Sequence, residues 1–166
     1  MKPAFLDRLL NALALLVLAG ISVFLAARWQ ALPSRVPMHY NAFGEIDRWG
    51  SKTSLAALLG VAWALYGLLS VIGRFPALWN TGGLQITEAN QARVYAALLH
   101  LLSSTKLLMA LVFGFLALCS ILARPLPAWF MPVTLALLLG NLGGWMLRAY
   151  RSQCCLLYTS DAADEL

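Results

Sequence analysis

The chain has 166 residues, 61% of them hydrophobic and only 11% charged, with a mean hydropathy of +0.74. A soluble domain carries roughly a quarter charged residues, so this composition places the chain among integral membrane proteins, with length for one bundle. The net charge of +5 comes from 12 basic and 7 acidic residues with no long cationic run, which argues against nucleic acid as a partner and for contact with anionic headgroups.

The first apolar segment runs from about Leu9 to Ala27, between Asp7-Arg8 and Arg28-Trp29. At about 1.5 Å per residue it just spans a hydrocarbon core of about 30 Å. It is too long for a signal-peptide core, and no small-x-small cleavage site precedes a polar domain, so it is read as a retained helix.

The loop from Leu32 to Lys52 follows, and it holds most of the chain's chemical variety: His39, Asn41, Glu45, Asp47, three cations, Pro33, Pro37, Gly44 and Gly50. The prolines fix φ and push their predecessors towards extended backbone, while the glycines permit turns closed to other residues. A folded first loop is the expectation.

A second span is expected from about Leu55 to Ile72, capped by Ser51, Thr53 or Ser54. Ala56, Gly60 and Ala64 recur every four residues and make a narrow face for helix contact. A polar connection from Gly73 to Thr87 leads to a helical pattern running from Glu88 to about Ala123, with Thr87 as its N-cap. That length is on the order of 50 Å, too long to lie wholly in lipid. Its first part, with Asn90, Gln91, Arg93, His100, Ser103, Ser104 and Thr105, is expected to project from the membrane or lie on its surface, leaving 107–122 as the spanning part.

Arg124-Pro125-Leu126-Pro127 makes a short turn before a fourth span, 129–147, which carries a second small-residue face at Ala136, Gly140 and Gly144. Trp29, Trp49, Trp79, Trp129 and Trp145 fall near expected interfaces, as an aromatic belt requires. Cys119 lies in an apolar run; Cys154 and Cys155 are adjacent, with no spacing that suggests a disulfide framework or a metal site.

The domain is taken as residues 1–154. Residues 155–166 resemble the translation of a sequencing-library adapter and are read as a non-native tail, the alternative being a polar tail with cysteines open to palmitoylation. Lys2, Arg8, Arg74, Arg93, Arg148 and Arg151 lie on the side of the termini; Arg28, Arg35, Arg48, Lys52 and Arg124 lie opposite. This near-balance leaves the orientation weakly set. The reading adopted is a multi-pass protein of the cell membrane with cytoplasmic termini and an extracytoplasmic first loop.

Leu32, Pro33, Val36, Pro37, His39, Tyr40, Asn41, Gly44, Asp47, Gly50, Ser51 and Lys52 together carry a resemblance. They resemble an uncharacterised bacterial membrane domain family, domain of unknown function sixteen forty-eight, which also forms the N-terminal part of SdpI-like immunity proteins. Asn80, Ile86-Thr87-Glu88-Ala89-Asn90, Tyr95 and Lys106 make a second match, although Asn80 is followed here by Thr81-Gly82 where relatives carry Tyr-Pro. The resemblance, over about Leu6 to Tyr150, implies a multi-span helical protein with a role in immunity to a secreted peptide toxin or in signalling.

Three readings of the loop stand side by side. In the first, His39, Asn41 and Asp47 hydrogen-bond loop backbone and hold a cap. In the second the loop recognises a ligand through His39, Tyr40, Asn41, Gly44, Glu45, Asp47, Trp49 and Lys52, with Phe43 and Arg48 adding contact. In the third His39, Glu45 and Asp47 hold a divalent cation; no second His or Cys lies nearby, and no metal is assigned. No nucleophile accompanies the His and carboxylates, so no catalytic residue is assigned and the protein is read as non-enzymatic, without cofactor.

Lys106, inside the third helix, is the other candidate, either snorkelling to headgroups or facing a hydrated cavity. His100 lies off its face, which leaves a proton relay between the two unsupported. Asn11 and Asn141 are expected to bond between helices. The expected fold is all-α, a four-helix transmembrane bundle with a structured first loop and a long third helix. Its partners are the lipid bilayer and a secreted peptide toxin or signal bound at the loop. The alternative function is a small transporter, or a subunit of one, using Lys106.

Overall fold

The structure is a computed structural model, and the residues it describes are 3–79, 81 and 83–154. The tail 155–166 and the resemblance positions Asn80 and Gly82 lie outside the described residues.

Four helices form the bundle: α1 (Phe5–Arg28), α2 (Lys52–Ile72), α3 (Gln91–Ile121) and α4 (Phe130–Cys154). All four are long and apolar enough to cross a membrane. Their length follows from sequence: each is an apolar run without an interior break, apart from Pro132 in the first turn of α4, where the missing N–H is tolerated. α1 begins where Asp7 reaches back to accept the Ala4 backbone N–H at 2.9 Å, which satisfies a donor left free at the helix start.

The helix α3 is the hub, packing against α1, α2 and α4. Three apolar clusters fill the described bundle: Ala14, Leu18, Ala62 and Ala110 in its middle, Leu25, Leu32, Val36, Leu55, Leu59, Ala117 and Ile121 towards the end that carries the first loop, and Cys119, Leu126 and Phe130 at the α3–α4 turn. The outward faces stay apolar, with Leu16, Val23, Leu68, Leu135 and Leu139 all more than half exposed. Such a surface suits lipid, which hydrates no backbone and needs no polar cover. Both small-residue faces look outwards: Ala56 and Ala64 are exposed, and nothing lies within 4 Å of a Cβ added at Gly60, Gly140 or Gly144. They make none of the helix contacts anticipated from their spacing.

The start of α3 differs from the expectation. The helix begins at Gln91 rather than Glu88, and Thr87 caps nothing. Instead Asn90, 3% exposed, accepts the Thr87 N–H at 2.8 Å and donates to the Gln85 carbonyl at 2.8 Å. The buried amide holds a turn together, a use for Asn that competes with helix.

At its other end α3 closes with a Schellman arrangement. Arg124 N–H donates to the Cys119 carbonyl at 2.9 Å and Ala123 N–H to the Ser120 carbonyl at 3.2 Å. The arrangement needs a left-handed residue, and Ala123 supplies it at φ 50°.

The first loop is folded, as expected, and the extended backbone that its prolines favour is paired into strands. β1 (Arg35–Tyr40) pairs antiparallel with β2 (Ile46–Ser51), with irregular register between Pro37 and Tyr40. Val36 and Pro37 are buried against the bundle, while His39, Asp47, Arg48 and Trp49 face outwards.

Candidate functional site

The hairpin is organised by its turn. Asn41 Oδ1 accepts the backbone N–H groups of Phe43 and Glu45 at 2.9 and 3.0 Å, and its Nδ2 donates to Glu45 Oε2 at 2.8 Å. This is the local bonding that favours Asn in turns. Gly44 sits at φ +85°, and its carbonyl accepts the Leu126 N–H at 2.8 Å, joining the hairpin tip to the α3–α4 turn. A Cβ at Gly44 would meet the Leu126 carbonyl oxygen at 2.3 Å, so both space and conformation require glycine. Gly50 is constrained less strictly: a Cβ there would meet Met38 Cγ at 2.7 Å, the side chain of a flexible residue rather than backbone.

The candidate residues divide by face. Tyr40 points inwards: its hydroxyl lies 3.2 Å from Ser120 Oγ, beside the buried cluster of Cys119, Leu126 and Phe130. Burial pushes its phenol above the ordinary value of 10.0, an effect the Ser120 hydrogen bond partly offsets. Lys52 also turns to the bundle, donating to the Trp29 carbonyl at 3.1 Å and lying 5.1 Å from the Trp29 ring centre. It ties the hairpin base to the end of α1. Ser51 caps α2 by accepting the Thr53 N–H at 3.3 Å.

The outer face carries an open group. His39 Nδ1 lies 2.6 Å from Asp47 Oδ1, with both side chains substantially exposed. The irregular register brings them together, since His39 pairs with Arg48 rather than with Asp47. Phe43 is 81% exposed at the tip and Trp49 44% exposed on β2. Glu45 is engaged with Asn41 rather than with His39. Among the described residues no group of three or more His, Cys, Asp or Glu side chains could hold a metal ion. The outer face can offer aromatic contact, the Arg48 guanidinium and the hydrogen-bonded His39–Asp47 pair.

Lys106 lies elsewhere, at the opposite end of the bundle. It is 6% exposed, its Nζ donates to Ser70 Oγ at 3.4 Å, and it lies 5.4 Å from the Tyr66 ring centre. It lines a cavity of about 260 Å³ with Asp7, Asn11, Ser70, Arg74, Trp79 and Ser103.

Beside that cavity is a pair that spacing along the chain conceals. Asp7, 2% exposed, lies 2.5 Å from His100 Nδ1, and the His100 ring packs on Trp145 at 5.0 Å. Asp7 reads as a flank of the first span and His100 as a polar residue on a projecting helix; both lie near span ends bearing ionisable groups, which was the available signal. Asn11 and Asn141 do bond across helices, to Ser103 at 3.5 Å and Thr105 at 3.0 Å.

No curated protein and no solved structure matches the chain. A family described as "Domain of unknown function (DUF1648)" matches residues 15–69. That stretch covers most of α1, the whole hairpin and α2 to its last turn. The chain, a multi-pass membrane protein by its helices, is thus similar over residues 15–69 to the DUF1648 family, whose function is unknown.

Proposed function

We propose that the hairpin is a recognition element for a peptide, in a non-enzymatic protein of the cell membrane with the hairpin on the extracytoplasmic side. The observation that carries this reading is the division of labour between its faces. Val36, Pro37, Tyr40, Gly44 and Lys52 are engaged with the bundle, whereas Phe43, Trp49, Arg48 and the His39–Asp47 pair are turned to the surroundings. A scaffold presenting two exposed aromatic side chains among polar and charged groups is the kind of surface that anchors peptides. The resemblance to SdpI-like immunity proteins supports a secreted peptide toxin, or a peptide signal, as the ligand.

The test is survival of cells expressing the chain when challenged with secreted peptides from related bacteria, with wild type, His39→Ala and Trp49→Ala compared at matched membrane levels. Protection by wild type that both substitutions abolish, with insertion intact, supports recognition at the hairpin. Loss of insertion in the variants assigns His39 a structural role, and protection that survives both substitutions rejects the reading.

A further inference from the structure

We infer that the cavity beneath α2 and α3 is a binding site for one small anion of the phosphate or carboxylate class, held by Lys106 and Arg74. The inference goes beyond the hairpin reading and is independent of it, because the two sites lie at opposite ends of the bundle.

Lys106 is a buried amine with few partners. An ammonium has three donors, and removal from water is costly unless a counter-charge or hydrogen bonds replace hydration. Among the described residues, Lys106 Nζ has one polar partner, Ser70 Oγ, at a long 3.4 Å. The Asp7 carboxylate also lines the cavity but does not contact Lys106 directly. Asp7 Oδ2 accepts the Ala4 N–H and Oδ1 is taken by His100, and no ion pair joins Asp7 to Lys106. The Tyr66 ring gives the ammonium one apolar wall.

The second observation is the cavity itself. Lys106 lines it with Arg74, with the hydroxyls of Ser70 and Ser103, and with Asn11. Asn11 Oδ1 is buried without a hydrogen-bond partner among the described residues, so a polar occupant has an acceptor to meet as well as donors. The volume of about 260 Å³ suits a headgroup-sized ligand. Pro3, Arg74, Pro76 and Trp79 line it at the end where α1 begins and α2 finishes, the level at which lipid headgroups and soluble anions both arrive. A hydrogenphosphate, or a phosphate headgroup with a free hydroxyl, meets both needs, its anionic oxygens accepting from Lys106 and Arg74 and its O–H donating to Asn11 Oδ1, whereas a carboxylate meets the first need alone.

The experiment uses the full chain in two arms. In nanodiscs of phosphatidylcholine, inorganic phosphate and acetate are titrated calorimetrically, which reads a soluble anion. In detergent, short-chain phosphatidylglycerol is added and retained lipid is counted by native mass spectrometry, with phosphatidylcholine as control, which reads a headgroup. One saturable site is expected in one of the arms. Lys106→Met should weaken it about tenfold or more, as loss of a charge-assisted contact does, and Lys106→Arg should largely restore it. Arg74→Gln, more exposed and so less disruptive to fold, should weaken it by a smaller factor. No saturable binding by wild type in either arm overturns the proposal. So does equal binding by wild type, Lys106→Met and Arg74→Gln.

Discussion

The backbone N–H of Leu126 donates to the carbonyl of Gly44 at 2.8 Å, joining two turns 82 residues apart in the chain. Through this bond the hairpin of residues 35–51 becomes part of the end of the bundle. Tyr40 and Ser120 support the same junction from β1.

Gly44→Ala should undock the hairpin. The substitution meets backbone at 2.3 Å and a φ of +85°, together costing about 1–3 kcal/mol or more. Limited trypsin cleavage at Arg35 and Arg48 in reconstituted protein should accelerate severalfold, while helix content by circular dichroism stays constant. Unchanged cleavage would show that the tip is not held by this contact.

Ala123→Gly should stabilise the chain. Ala123 is the one non-glycine residue at positive φ among the described residues, and a left-handed Ala costs about 1–2 kcal/mol that glycine avoids, less the entropy glycine loses on folding. A net gain of about 1 kcal/mol should raise the unfolding midpoint in detergent.

Hairpin docking should fail at alkaline pH. Burial raises the Tyr40 pKa above 10.0, so the folded state favours the neutral phenol. That contribution is complete below the unfolded value and is lost as pH rises through the higher folded value. Trypsin sensitivity of the hairpin should therefore be flat through neutral pH and increase above about pH 10. Tyr40→Phe should abolish this dependence, at a cost of about 1 kcal/mol for the lost Ser120 bond.

The pair of Asp7 and His100 should behave as a unit. Asp7 is 2% exposed, and removing one partner of a buried pair leaves the other uncompensated, typically at about 3–5 kcal/mol. His100→Ala should lower the unfolding midpoint sharply. Adding Asp7→Ala should cost much less than the two losses summed, which a double-mutant cycle measures. The exposed pair of His39 and Asp47 should couple by only about 0.2–1 kcal/mol in the same assay.

Much of this architecture follows from sequence alone, because a bilayer is a demanding solvent. A spanning segment must satisfy its backbone internally and be apolar over a fixed length, so four apolar runs yield four helices, and their polar interruptions mark where the first loop and the long third helix lie. The Leu32–Lys52 stretch could be recognised as folded from its prolines and glycines, and Asn11 and Asn141 as interhelical bonds, because a buried amide in lipid has few other partners. Tertiary structure decided what one-dimensional spacing does not encode. Pairing of β1 with β2 depends on a surface against which Val36 and Pro37 can be buried, and only the assembled end of α1, α2 and α3 provides it. The same packing turned Tyr40 and Lys52 inwards, left His39, Asp47 and Trp49 outside, and brought Asp7 against His100 across 93 positions. Lys106 shows the division most directly. Sequence placed an ammonium within a helix, and the packing of α1, α2 and α3 set a polar cavity beside it.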